Sequence, residues 1–174
     1  MGTRSSRFVA VLGIMAAAGA VAGCSAQPGT AGVINGVRIT ESELSDATLE
    51  FEALTGQDTA PSAVLTTLML AQVFQEVGPE HGIAYTDEEV AGLFEQQAAL
   101  QGAEVPEDGF SEAFIDLGHY LFGVTELQSS PDAAAVGEKL STAMNEADIE
   151  VNPRYGEAVQ GVVTPVEHDW IAAP

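Results

Sequence analysis

Between Pro61 and about Glu80 the chain places Val64, Leu65, Leu68, Met69, Leu70, Val73, Phe74 and Val77 almost all round one helix. A helix that is apolar on every side has no face to give to water. It either stands at the centre of a core or leaves part of itself uncovered as a binding surface. The other segments must be arranged around it. Pro61 suits the first helical turn, where a missing N–H costs nothing, and Gly82 supplies the stop.

The neighbouring segments carry amphipathic rather than all-round patterns. Thr40 with Glu43 and Thr86 with Glu89 are capping boxes, in which each side chain satisfies the other residue's free backbone amide. The first opens a helix to about Leu54 that buries Leu44, Ala47, Phe51 and Leu54. The second opens a helix to about Gln101 that buries Val90, Leu93, Phe94 and Leu100. Phe110, Phe114, Leu117, Tyr120 and Leu121 recur at three- and four-residue intervals and predict a helix near 111–128. Ser130-Pro131 reads as N-cap and first-turn proline of a fifth helix, carrying Val136, Leu140 and Met144 to about Asn145. Ahead of all this, Val33-Ile34, Asn35-Gly36 and Val37-Arg38-Ile39 form a hairpin signal, because Asn-Gly tolerates the positive φ of a two-residue turn. Asp148 to Val151 alternates as a late strand stopped by Asn152-Pro153, and this strand is expected to pair with the early hairpin. The expected fold is mainly α with these short strands, and there is no internal repeat.

The N-terminus reads as a leader. Arg4 and Arg7 supply positive charge, Phe8 to Ala22 an apolar run, and Ala22-Gly23 the small residues a peptidase needs. As a helix the apolar run reaches roughly 22 Å, short of the roughly 30 Å of a bilayer's hydrocarbon. Val21-Ala22-Gly23-Cys24 resembles the lipobox of bacterial lipoproteins, which implies lipidation at Cys24. The expected location is then the outer face of the bacterial cytoplasmic membrane, with the protein exported and lipid-anchored. Cys24 is the only cysteine, so no disulfide supports the remainder and packing alone must hold it.

All 26 acidic residues follow Cys24, against three basic ones, Arg38, Lys139 and Arg154. Phosphate backbones are bound by clustered cations that displace counterions, so this balance excludes nucleic acid as a partner. It also repels an anionic lipid surface within about 8 Å at physiological salt, leaving lipid as the anchor. The domain plan expected is a signal peptide over 1–23, a flexible tether over 24–32, a helical domain over 33–156 and an irregular tail over 157–174, with Trp170 the one large apolar side chain there.

The run Val33 to Leu44, the apolar second helix, Gly82-Ile83 leading to Thr86-Asp87-Glu88-Glu89-Val90, and the ending Val151-Asn152-Pro153-Arg154-Tyr155-Gly156 occur in one order. That order resembles the N-terminal, peptide-binding domain of SurA-like periplasmic chaperones. The resemblance implies an extracytoplasmic helical domain that cradles unfolded or extended polypeptide without a cofactor. Many members also carry a parvulin-type prolyl isomerase module, which is missing from the interval 110–145, so isomerase activity is not implied. A foldase with residual isomerase activity and a noncatalytic structural subunit of an envelope complex are the alternatives.

A cradle needs apolar side chains that stay partly uncovered. The candidates are Phe74, Phe94, Phe110, Phe114, Tyr120 and Phe122. An acidic surround would favour basic clients. Asn152, Pro153, Arg154, Tyr155 and Gly156 read as a structural turn, with Arg154 bracing a nearby carboxylate. His81, His119 and His168 lack metal-ligand spacing, Asp87-Glu88-Glu89 suits a helix start rather than a calcium loop, and no catalytic motif is visible. Neither a metal nor a catalytic residue is expected.

Overall fold

The computed structural model describes residues 28–166; the leader, Cys24, His168 and Trp170 lie outside them. β1 (Thr30–Ile34) and β2 (Val37–Thr40) pair antiparallel through Asn35 at φ 49° and Gly36 at φ 82°, the left-handed pair that a two-residue hairpin turn demands. β3 (Ile149–Val151) joins the other side of β1, giving the order β2-β1-β3 and bearing out the expected pairing of late strand with early hairpin. β1 thus begins at Thr30 and takes in Thr30, Ala31 and Gly32, residues expected to belong to the tether.

The peptide groups of β1 alternate between its two neighbours. Asn35 N–H donates to Asp148 C=O and Asn152 N–H to Ala31 C=O, both at 2.9 Å. Ala31, Val33 and Asn35 therefore bond toward β3, while Gly32 and Ile34 bond toward β2, opposite Ile39 and Val37. Asparagine side chains fasten both ends of the β1–β3 seam: Asp148 N donates to Asn35 Oδ1 at 3.0 Å, and Asn152 Nδ2 donates to Thr30 O at 2.9 Å.

Five helices follow the hairpin: α1 (Glu41–Thr55), α2 (Pro61–Val77), α3 (Asp87–Gln101), α4 (Glu112–Leu127) and α5 (Ala133–Glu146). Both capping boxes form, and Gly56 and Gly102 end α1 and α3 in the left-handed conformation. The apolar α2 is the central element, in contact with α1, α4, α5, β1 and β5 (Val162–Thr164). Leu65, Met69 and Val73 on α2 are buried with Leu44, Val90, Phe114 and Leu117 in one core. Each such side chain contributes roughly 1.5–3 kcal/mol by leaving water.

Two glycines let α4 approach its neighbours. A methyl group at Gly118 would overlap Val90 and Phe94 of α3, and one at Gly123 would overlap the Phe74 ring of α2. Glu50 of α1 fixes the start of α4 by accepting from both the backbone N–H, at 2.8 Å, and the hydroxyl of its N-cap residue Ser111.

Four expectations are corrected. Leu100 is 78% exposed, because the buried stripe of α3 runs Val90, Phe94, Ala98 at four-residue spacing and Leu100 lies on the far side. Leu93 is only half-buried beside that stripe. α5 begins after Asp132, since the Ser130 hydroxyl accepts from Asp132 N at 3.2 Å and holds Ser130-Pro131 in a turn. Residues 157–164 form a hairpin rather than an irregular tail. In it β4 (Glu157–Val159) pairs with β5 across Gln160 at φ 52° and Gly161 at φ 79°. Val163 is buried, and its N–H donates to the Thr66 hydroxyl of α2 at 2.9 Å. Among the described residues no helix is long and apolar enough to cross a membrane.

Candidate functional site

The six aromatic candidates do not line one open cradle. Phe74, Phe94 and Phe114 are buried, at 3%, 3% and 0% exposure. Phe94 of α3 stacks on Phe114 of α4 with centroids 4.2 Å apart, and Phe110 and Phe122 flank it at 5.4 and 5.0 Å. Phe74 meets the edge of Tyr120 at 5.8 Å. These rings seal the seams of α4 with α3 and α2, where Gly118 and Gly123 make room for them. Phe110 and Phe122 are half-buried against the main core, and Tyr120 is half-buried against a second cluster formed by Phe74, Ile83, Leu127 and Val136.

The segment Asn152 to Gly156 is the turn expected. Asn152 accepts from Arg154 N through its side chain at 3.1 Å and from Tyr155 N through its backbone at 2.9 Å. Pro153 is exposed between them. Gly156, at φ 136°, lies against the Thr164 carbonyl with no space for a side chain. Arg154 bonds Glu41 Oε1 at 3.3 Å and lies 5.7 Å from the Tyr155 ring centroid. Burial, then the Glu41 charge, pushes the Tyr155 phenol above its ordinary value, with Arg154 opposing. Arg154 is 70% exposed, so this brace contributes at most about 1 kcal/mol.

A first recess, of about 240 Å³, is lined by Phe74, Pro79, Ile83, Tyr85, Asp87 and His119 among others. Its polar groups are already engaged: His119 Nε2 lies 2.9 Å from Asp87 Oδ1, and the Tyr85 hydroxyl donates to Glu126 at 2.7 Å. That bond, together with burial, pushes the Tyr85 phenol up to about 12. Asp87 thus has a hydrogen-bonding role to His119 of α4 beyond its place at a helix start. Among the described residues no group of three or more His, Cys, Asp and Glu is placed to hold a metal ion.

A second recess, of about 330 Å³, runs beside β2. It is lined by the buried Leu68 and Ala113, by Val37 and Ile39 of β2, by Gln72 and Gln75 of α2, and by the carboxylates of Glu43, Glu112 and Asp116. β2 has β1 as its only strand partner among the described residues. Val37, Arg38 and Ile39 all border the groove although their side chains alternate in direction. What the three share with it is the outer backbone edge of the strand. Because Val37 and Ile39 bond to β1, the N–H and C=O of Arg38 point outward along that edge. The next residue is closed off, since Thr40 N donates to Glu43 Oε2 at 2.6 Å.

Charge in the groove is held but not neutralised. Asp116 accepts from Gln75 Nε2 at 2.8 Å and from Gln72 Nε2 at 3.2 Å. The Lys and Arg ion pairs among the described residues involve Glu80 and Glu41, neither of which lines this groove. Arg38 turns its guanidinium away, to Pro28 O at 3.3 Å. Sequence reasoning missed this groove: Asn35-Gly36 announced the hairpin, but which strand edge stays unpaired is settled only when β3 returns to β1. Comparison with protein-family models, curated proteins and solved structures gives no match for this chain.

Proposed function

We propose that this is a lipid-anchored, extracytoplasmic, chaperone-like protein that holds unfolded or extended stretches of other polypeptides. The observation that carries the reading is the groove along the unpaired edge of β2, with its apolar and acidic lining. An extended chain has unmet backbone hydrogen bonds and alternating side chains, and such an edge with an adjacent recess can satisfy both. Apolar contacts over Leu68, Ala113 and Val37 provide most of the affinity, and the shallow, adaptable groove keeps specificity broad. The excess of acidic residues favours basic clients and needs no cofactor.

The element order over 33–156, which resembles SurA-like domains, supports the same reading. The charged leader ending in Val21-Ala22-Gly23-Cys24 supports export and lipid attachment. From Cys24 to Thr30 the chain can extend at most about 20 Å, which keeps the binding domain close to the membrane while its negative charge stands it off the headgroups.

The test is suppression of aggregation of an unfolded client by the soluble chain beginning after Cys24. The parent is expected to protect near stoichiometric ratios. Val37→Lys, at a position already 47% exposed, is expected to remain folded and lose protection. A parent that neither protects nor binds any member of an extended-peptide array ends the reading. In cells, Cys24→Ala is expected to release the protein from membranes, and continued membrane association would refute lipid attachment.

A further inference from the structure

The reading of the groove as a polypeptide site leaves open how a segment is held, and the following inference rests on that reading. We propose that an extended client segment adds as a fourth strand beside β2, exchanging backbone hydrogen bonds with Arg38 and laying a Lys or Arg side chain onto the carboxylate of Asp116.

The backbone arithmetic leaves one position open. Val37 and Ile39 spend their peptide groups on β1, and Thr40 N–H is taken by Glu43. Arg38 is the strand residue whose N–H and C=O both face outward. In an antiparallel ladder one residue exchanges both bonds with the residue opposite. A visiting strand therefore docks through a single residue placed across from Arg38, which fixes its register.

Register then dictates side chains. The docking residue shares the face of the Arg38 side chain, which is directed to Pro28 and away from the groove. The residues before and after it point to the opposite face, shared by Val37 and Ile39, and so into the recess. One meets Val37, Leu68 and Ala113, which favours an apolar side chain. The other reaches the side of α2 and α4, where Asp116 is aimed by the Gln72 and Gln75 amides with Glu112 beside it. A Lys or Arg there completes a charge-assisted bond that no cation of the described chain supplies. Because the visitor runs antiparallel to β2, the residue across from Ile39 precedes the docking residue and the one across from Val37 follows it. The sequence class expected is therefore basic-any-apolar in an extended segment.

The experiment is fluorescence anisotropy with a labelled seven-residue peptide containing Lys-Ser-Val at its centre. It is compared with the same peptide carrying Glu for Lys, and with versions N-methylated at one backbone position each. The parent is expected to bind the basic peptide at least tenfold more tightly than the acidic one. Methylation at the docking residue should weaken binding about tenfold, while methylation at its immediate neighbours should weaken it little. Asp116→Asn should remove most of the preference for Lys over Glu, and Arg38→Pro, which deletes the outward N–H, should reproduce the docking-residue loss. Should Arg38→Pro fold poorly, the methylated peptides probe the same bond with the parent protein. Binding that is indifferent to every methylation and unchanged in Asp116→Asn overturns strand addition at β2 while leaving polypeptide binding standing. No binding of any peptide at any charge overturns both.

Discussion

Gln75 Nε2 donates to Asp116 Oδ1 at 2.8 Å, tying α2 to α4 at the mouth of the groove beside β2. With the parallel bond from Gln72, this fixes a carboxylate in place without giving it a counter-charge. The same residue therefore joins two helices and presents a negative group to the groove. Asp116→Ala removes both bonds, each with a net contribution of roughly 0.5–1.5 kcal/mol. Urea unfolding is expected to show a loss of about 1–2 kcal/mol, and an unchanged midpoint would mean that the two amides are equally content with water.

Glycines on two helices should respond to the same substitution with opposite sign. Ala is preferred over Gly in a helix interior by about 1 kcal/mol. At Gly137 of α5 nothing stands near an added methyl, so Gly137→Ala should raise stability by about 0.5–1 kcal/mol. At Gly118 the methyl meets Val90 and Phe94, and overpacking should outweigh propensity for a net loss of about 1–3 kcal/mol. Thermal unfolding of the two variants checks the sign. A stabilised Gly118→Ala would show that α3 and α4 can part without cost.

Besides the buried Val163 side chain, one part-buried hydrogen bond ties the second hairpin to α2. Thr66→Val keeps the shape and removes the hydroxyl that accepts from Val163 N–H at 2.9 Å. Leaving that donor unmet is expected to cost about 1–3 kcal/mol. Amide exchange should locate the effect: the Val163 amide should lose protection first, while those of β1 stay protected.

Alkaline pH should weaken the fold through its phenols. Tyr85 is raised to about 12 by its bond to Glu126, by burial and by the charges of Glu126 and Glu89; Tyr120 is raised by burial. A raised folded pKa means that the native state holds its proton after the unfolded chain has released it. The contribution is therefore complete below pH 10 and is lost as pH climbs from 10 toward 12. Stability measured at pH 9 and pH 11.5 should fall between the two, and Tyr85→Phe should show a smaller fall. An equal fall in both proteins would remove Tyr85 as a cause.

Local signals in the chain foretold the elements whose chemistry is local. Asn35-Gly36 specified a hairpin because both positions need positive φ, and the two Thr-x-x-Glu boxes marked helix starts to the residue. Gln160-Gly161 makes the same kind of turn without the same signal, since Gln has no special tolerance for φ 52° and only Val163 of that hairpin is buried. Spacing put Phe94 and Phe114 on helix faces, but whether a face is covered depends on what packs there. Gly118 let α3 close over them. The all-round apolar α2 posed the choice between core and exposed surface, and five neighbouring helices and strands on its flanks decide it for the core. The groove lies where, among the described residues, one side of β2 has no strand partner, a tertiary property that no window of residues encodes.

The most direct measurement is hydrogen exchange at the Arg38 amide, resolved by NMR, in the free soluble protein and with a saturating basic extended peptide. Its N–H faces outward from the sheet, so it should exchange rapidly in the free protein and slow at least tenfold when a strand is added, while Val37 and Ile39 change little. Saturation by the peptide with Arg38 exchange unaltered would contradict the account, because the segment would then be held somewhere other than the edge of β2.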